Sequence, residues 1–430
     1  MRSSLGRGNV EKPLKKEALL CILDAANIPK QTGARHLWGS TRIPSKVYQV
    51  LYPFKRHFRC VQAQHFLVFC WLVMALIRDP GKGTLKGLKP YLPTKLPYWT
   101  PVRMVRAGQW DAQAVLTDMA AATLRSLLPP THGVLYLIGD STLKSKRGRK
   151  HPLGHFTRHG EHEPYMFGFE MVLLIARWDR FRVPVALALI DPKRRGHQNI
   201  LFRQMLKTFV PPAWVKQVVV VADAGFAANA TLHLITEKPY AYVFAMPRTR
   251  KLTNGRYLRA LVQHLPKSWY YRRASYKPDG RRRDYWVFTR HATLHQLGDV
   301  TIVLSKQRRN DGPKGVKILV TNLTTASAGA ILSIYAWRWG VEVIIKELKS
   351  GLHLGQMQVT TESKRVERSV VLSVLAYLLL VRLYGRDEAL SKEWSLFKLK
   401  ERFIGEVAQD VVTRTERKWQ HKFKQFKNVA

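Results

Sequence analysis

The chain has 430 residues, 46% of them hydrophobic, enough for a sizeable core and for two or three domains of roughly 150 residues each. Lysine and arginine number 72 against 29 acidic residues, a formal net charge of +43. A compact chain so charged repels itself unless a polyanion neutralises it, which disfavours an ordinary enzyme of small metabolites and points to nucleic acid.

Cys21, Cys60 and Cys70 show no CxxC spacing, so neither a disulfide framework nor a zinc knuckle is expected, and a reducing cytoplasm fits. The first twenty residues lack the apolar stretch of a secretory signal. Two apolar runs, 66–77 and 370–381, fall well short of the roughly twenty residues that span a bilayer and read as buried core helices, so no membrane partner is expected.

Residues 1–130 read as mostly helical, interrupted by a Gly/Pro/Lys-rich stretch at 79–101. A helix over 109–128 stops at Pro129-Pro130, the first boundary. Beyond it come apolar, β-branched runs at 134–138, ending in Asp140, and at 166–176 and 182–190, the last two separated by a turn at Arg177-Trp178-Asp179-Arg180. A helix over 199–210, a strand over 217–221 ending near Asp223, and a strand over 241–245 follow. Three strands joined by short turns, then helix, strand, helix, strand, is the order of a ribonuclease-H-like mixed sheet of five strands.

From 246 to about 313 the chain is dense in Arg, Lys, Tyr and Trp, and aromatics alternating around Pro278-Asp279-Gly280 predict a β-hairpin. A strand at 317–320, a long helix over 328–349 and another over 366–383 follow, and the basic tail 413–427 carries Trp419, Phe423 and Phe426 at helical spacing. The expected fold class is therefore α/β. A ribonuclease-H-like core (131–245 and 316–365) is interrupted by a β-rich insertion (246–315) and flanked by helical regions at 1–130, taken as DNA-binding, and 366–430, a candidate for dimerisation and DNA contact.

In the expected sheet the first and fourth strands are neighbours, roughly 4.8 Å apart, so Asp140 and Asp223 meet at one sheet edge. A single strand-end Asp more often serves a turn or a helix cap, and it is the matched pair that favours chemistry. Asp191, ending the third strand, is the rival for the first position, but a meander sets it roughly 10 Å from the fourth strand's neighbour, so Asp140 is preferred. In the 328–349 helix Tyr335, Arg338, Glu342 and Lys349 stand at offsets 0, 3, 7 and 14, which at about 100° per residue places them within one sector of about 60°. That stripe offers one carboxylate with cations to grip adjoining phosphates. An exposed face with a Glu342–Lys346 pair is the plain alternative, though Trp337, Trp339, Val341 and Ile345 suggest a largely buried helix.

The spacing Tyr335-(2)-Arg338-(3)-Glu342-(6)-Lys349 resembles the Y-(2)-R-(3)-E-(6)-K signature of insertion-sequence-4-type DDE transposases, with GDSTLKSKRGRK around Asp140 and ADAGF around Asp223. The resemblance covers roughly residues 134–383. It implies that Asp140, Asp223 and Glu342 are a catalytic, metal-binding triad holding two Mg²⁺, with Mn²⁺ able to substitute. It further implies that Arg338 and Lys349 contact DNA phosphates, supported by Tyr335, and that the protein cuts and joins transposon ends as a homodimer on double-stranded DNA in a bacterial cytoplasm.

In the insertion, Trp286 among Arg281, Arg282 and Arg283 is a candidate for stacking on an unpaired base during a hairpin step, with Trp269 as its rival and core packing as the plain alternative. The 143–163 loop carries Lys144, Lys146, Arg147, Arg149 and Lys150, expected to contact phosphate. Its histidines, His151, His155, His159 and His162, sit among glycines and a proline that argue against a helical zinc site. Arg194 and Arg195 lie in a second expected substrate-facing loop. Two other readings stay open: a catalytically inert DNA-binding descendant of such an enzyme, and another ribonuclease-H-like nuclease.

Overall fold

The computed structural model describes residues 43–58, 64–158, 165–277, 280–358, 362–387 and 395–427. The opening segment with Cys21, and also Cys60, His159, His162, Pro278 and Asp279, lie outside the described residues, as do the side chains of Phe423 and Phe426.

Valine-rich and alternating runs in the middle of the chain pair into one ten-stranded sheet. Its first half contains β1 (Val134–Ser145), β2 (His155–Arg158), β3 (Tyr165–Trp178), β4 (Phe181–Leu189), β5 (Gln217–Ala222) and β6 (Ala241–Ala245). β1 lies between β3, antiparallel, and β5, parallel; β5 pairs with β6, also parallel. β3 is long enough to take both β2 and β4 on its other edge, one beyond the other. The order through the core is therefore β4-β3-β1-β5-β6.

β7 (Tyr271–Tyr276), β8 (Arg282–Leu294), β9 (Gly298–Lys306) and β10 (Lys317–Thr321) complete the sheet. β10 pairs with β6 on one side and β9 on the other, so the strands of the basic, aromatic-rich region continue the core sheet. The expected hairpin forms between β7 and β8, with Tyr276 opposite Arg282.

Helices cover the sheet. Helix α1 (Ser45–Leu51), α2 (Gln64–Arg78), α3 (Trp99–Ala107) and α4 (Ala112–Leu127) precede β1. The Asp111 side chain caps α4 by accepting from the Ala114 N–H at 3.0 Å. α5 (His197–Thr208), α6 (Asn229–Glu237) and α7 (Leu258–His264) are interleaved with the strands; α8 (Ala328–Ala336), α9 (Trp339–Gly351), α10 (Ser363–Tyr384) and α11 (Leu396–Lys427) end the chain. The 370–381 run is buried on every side of α10, which touches α1, α2, α3, α4 and β4. The early helices thereby share one hydrophobic core with the sheet.

The long helix expected over 328–349 is two helices. Trp337, Arg338, Gly340 and Val341 donate to carbonyls three residues back, at 2.9–3.1 Å, and this tighter winding breaks the α pattern at Trp337-Arg338. By length and composition the stretch Ala328–Gly351 is apolar enough to cross a bilayer; here α8 lies against β7 and α9 against β1.

Candidate active site

Side chains alternate along β1. Gly139 faces α5, where an added Cβ would stand 2.2 Å from the Phe202 ring, so this position tolerates no side chain beside that buried phenylalanine. Tyr136 faces the opposite way and stacks on Trp337 at 4.9 Å. Asp140, in phase with Tyr136, projects toward α8 and α9.

Asp140 does not close its strand, as expected from sequence, because β1 runs on to Ser145. Pairing with β5 ends at Ile138–Val221, whereas pairing with β3 carries β1 through Ser145. Asp140 therefore sits where β1 outruns its parallel neighbour. The same register, two residues further, brings Asp140 level with Asp223, which follows Ala222 at the end of β5. Asp223 begins a single turn, its Oδ1 accepting from the Gly225 N–H at 2.9 Å.

Glu342 lies in the first turn of α9, where the helix dipole favours a carboxylate. Arg338 bridges the strand and the helix, donating to Asp140 Oδ2 at 3.1 Å and to Glu342 Oε1 at 2.7 Å. Burial pushes the Asp140 carboxyl up to about 6; Arg338 and the Ser141 N–H pull it down, while the charges of Asp223 and Glu342 raise it further. Asp223 and Glu342 thus lie close enough to Asp140 for their charges to act on it. Burial and the charges of Arg338, Asp223 and Asp140 also act on Tyr335, whose hydroxyl is raised, with desolvation the largest cause.

Asp191 lies elsewhere. It follows β4, two strands from β1, where its carboxylate accepts from the Lys193 N–H at 3.0 Å and its own N–H donates to His197. The strand registers set it level with Lys144 rather than with Asp140.

The position of α9 rests on a wedge. Trp337 is held between Tyr136 and Arg177, whose guanidinium stands 4.3 Å from the indole. Gly340 gives Arg177 room, since an added Cβ would stand 1.9 Å from its guanidinium. Lys349 donates to the Leu143 carbonyl at 2.6 Å, tying the end of α9 to β1, and burial lowers its ammonium to about 8.

The other expected DNA contacts divide. Arg147, Arg149, Lys150, Arg194, Arg195 and Arg283 are exposed. Lys146 is turned inward, donating to the carbonyls of Gly355 and Met357 at 2.6 and 3.1 Å, and burial lowers it to about 8. Lys144 is half-buried, and Arg282 pairs with Asp284; Arg281, just before β8, is exposed. Trp286 is half-buried, with the Arg309 guanidinium 5.1 Å from its ring, while Trp269 is 59% exposed. His151 stacks on Phe169 and His155 meets Glu170 at 3.2 Å, so these two histidines are engaged separately.

Two residues of the site were not singled out from sequence. Lys317, at the start of β10, holds its ammonium 5.0 Å from the Tyr335 ring and feels Arg338, Glu342 and Asp223. A lone lysine before an apolar run gives no signal; only the pairing of β10 with β6 brings it here. Trp339, 62% exposed beside Arg338, passed as a core residue of an apolar helix.

Chemically, two carboxylates level on neighbouring strands and a third on α9, with an arginine among them, can hold hard cations and phosphate oxygens. Among the described residues no three metal-binding side chains enclose a common point; Arg338 stands between Asp140 and Glu342.

A family model described as Transposase DDE domain matches residues 148–379, just over half of the chain. The chain belongs to the DDE transposase family. The match includes Asp223 and Glu342 and begins after Asp140, so Asp140 stands on the register with β5. Among solved structures, a piggyBac transposase synaptic complex with hairpin DNA, seen by cryo-EM, is similar with a TM-score of 0.46 and 12% identity, over 90% of this chain and 82% of that one. A comparison with curated proteins finds no match.

Proposed function

We propose that this DDE transposase cuts transposon ends and joins them to target DNA through one divalent-metal site formed by Asp140, Asp223 and Glu342 on a ribonuclease-H-like core. The observation that carries the reading is the β1–β5 register, which levels Asp140 with Asp223, together with Arg338 linking Asp140 to Glu342. The strand order β4-β3-β1-β5-β6, with the first three antiparallel and the last three parallel, supports the core assignment.

The donor set fits Mg²⁺ or Mn²⁺, since all three side chains offer only carboxylate oxygens. Burial raises Asp140 and the charges of Asp223 and Glu342 add to it, and bound cations offset both. When bound, two such ions supply an activated attacking oxygen and stabilise the leaving oxygen of an in-line displacement. Asp140 and Asp223 anchor the site from rigid strands, and Glu342 completes it from α9. Arg338 holds the carboxylates together in the free protein and turns to a DNA phosphate when they are otherwise neutralised, with Lys349 and Tyr335 on the same side. Arg147, Arg149, Lys150, Arg194 and Arg195 steer the DNA backbone from the exposed loops. Joining two ends implies two copies on DNA. On a hairpin route an aromatic of the β7–β9 region stacks on an unpaired base; Trp286 is the sequence candidate, and Trp269 is the more exposed ring.

The test is incubation of the protein with Mg²⁺ and duplex DNA carrying the inverted repeats that flank its coding sequence. Nicking at the repeat ends is expected. Binding without nicking would make the chain an inert relative, and cleavage of RNA–DNA hybrid but not of duplex would make it another nuclease.

A further inference from the structure

A cleft away from the carboxylates is lined by cations, and among the described residues that line it none is acidic. It measures about 600 Å³, and among its walls are Asn229, Arg250, Lys251, Tyr257, Arg259 and His295. Like charges gathered without a counter-charge repel, and an anion between them relieves the repulsion.

The walls are fixed by the backbone. Leu258 donates to the Arg250 carbonyl at 2.8 Å and Arg259 to the Arg248 carbonyl at 3.0 Å, while Lys251 bridges Tyr257. Leu252 and Leu258 are buried and staple this segment to the core. The chain reverses at Gly255, whose φ of +79° suits glycine.

Arg250 donates to the Ala227 carbonyl and to the Asn229 side chain, so the cleft is tied to the segment just after Asp223. Its Nε is buried and meets no hydrogen-bond acceptor. Lys251 and Arg259 lie 5.4 and 4.8 Å from the Tyr257 ring centre and are exposed. The cleft therefore joins a held arginine to two exposed cations resting on an aromatic ring.

We propose that this cleft is a second phosphate subsite, taking a backbone phosphate of duplex DNA beside the DNA that reaches Asp223. The proposal rests on the transposase reading. Chain reach from Asp223 to Asn229 bounds their separation at roughly 20 Å, the length of about six base pairs at about 3.4 Å each. One duplex seated over the carboxylates can thus also meet the cleft.

The experiment measures duplex affinity against salt for the wild type and for a Lys251→Gln/Arg259→Gln double variant, which leaves Arg250 and Asn229 in place. The double variant is expected to bind about tenfold more weakly near physiological salt, with a log–log salt slope shallower by about 0.9 for one phosphate lost. Arg259→Lys, which keeps the charge, should retain the wild-type slope. An unchanged slope in a folded double variant overturns the subsite. A thermal midpoint raised by inorganic phosphate in the wild type alone, with the DNA slope unchanged, marks a small-anion site and also overturns it. Wild-type protein that binds no duplex fails the transposase reading and the subsite with it.

Discussion

Asp140 carries the tension of the site. Its ordinary pKa of 3.8 is pushed up to about 6, chiefly by burial. Between those values the folded protein holds a proton that the unfolded chain has released, so stability falls as pH rises from about 4 to about 6 and stays low above. Arg338, raised by its acidic neighbours, offsets part of this. Asp140→Asn should therefore raise metal-free stability at pH 7.5 by about 1–3 kcal/mol, and the gain should vanish near pH 4. Denaturant titrations at the two pH values check it; a variant less stable at pH 7.5 would contradict it. The neighbouring Gly139 is a packing constraint. Gly139→Ala drives a methyl into Phe202 and should cost about 1–3 kcal/mol, read as a lower unfolding midpoint, and a neutral result would mean that α5 yields easily.

At the scale of elements, the break between α8 and α9 sets where Glu342 stands. Trp337 is clamped by Tyr136 and Arg177, so Trp337→Ala should lower stability by about 2–3 kcal/mol and cut strand cleavage more than DNA binding. Equal loss of binding and cleavage would show that the wedge does not position Glu342. The break was not legible in the sequence, because neither proline nor glycine stands at Trp337-Arg338 and overwinding leaves no such mark. Strongly patterned elements were legible. QVVVV and the 241–245 run can only be buried strands, and the 370–381 run was expected as the core helix it forms. β9 was not read from the sequence, where its short apolar centre, 300–304, lies inside a long stretch characterised by its basic and aromatic residues. The levelling of Asp140 with Asp223 was legible through strand order, but the approach of Lys317 to Tyr335 was not, because it depends on a pairing between distant strands.

At the scale of the molecule, a net charge of +43 makes phosphate neutralisation the largest contribution to DNA affinity. Duplex affinity should fall steeply with salt, with a log–log slope near −0.9 per phosphate contacted; a slope near zero would contradict a role for the exposed arginines and lysines. The most direct measurement is Mg²⁺-dependent nicking of repeat-end duplex by Asp140→Asn, Asp223→Asn, Glu342→Gln and Asp191→Asn proteins, each shown to be folded and DNA-bound. The first three should lose at least about a thousandfold in rate, as expected when charge stabilisation is removed from the transition state, while Asp191→Asn stays near wild type. Nicking abolished by Asp191→Asn, or retained by any of the other three, would contradict the account.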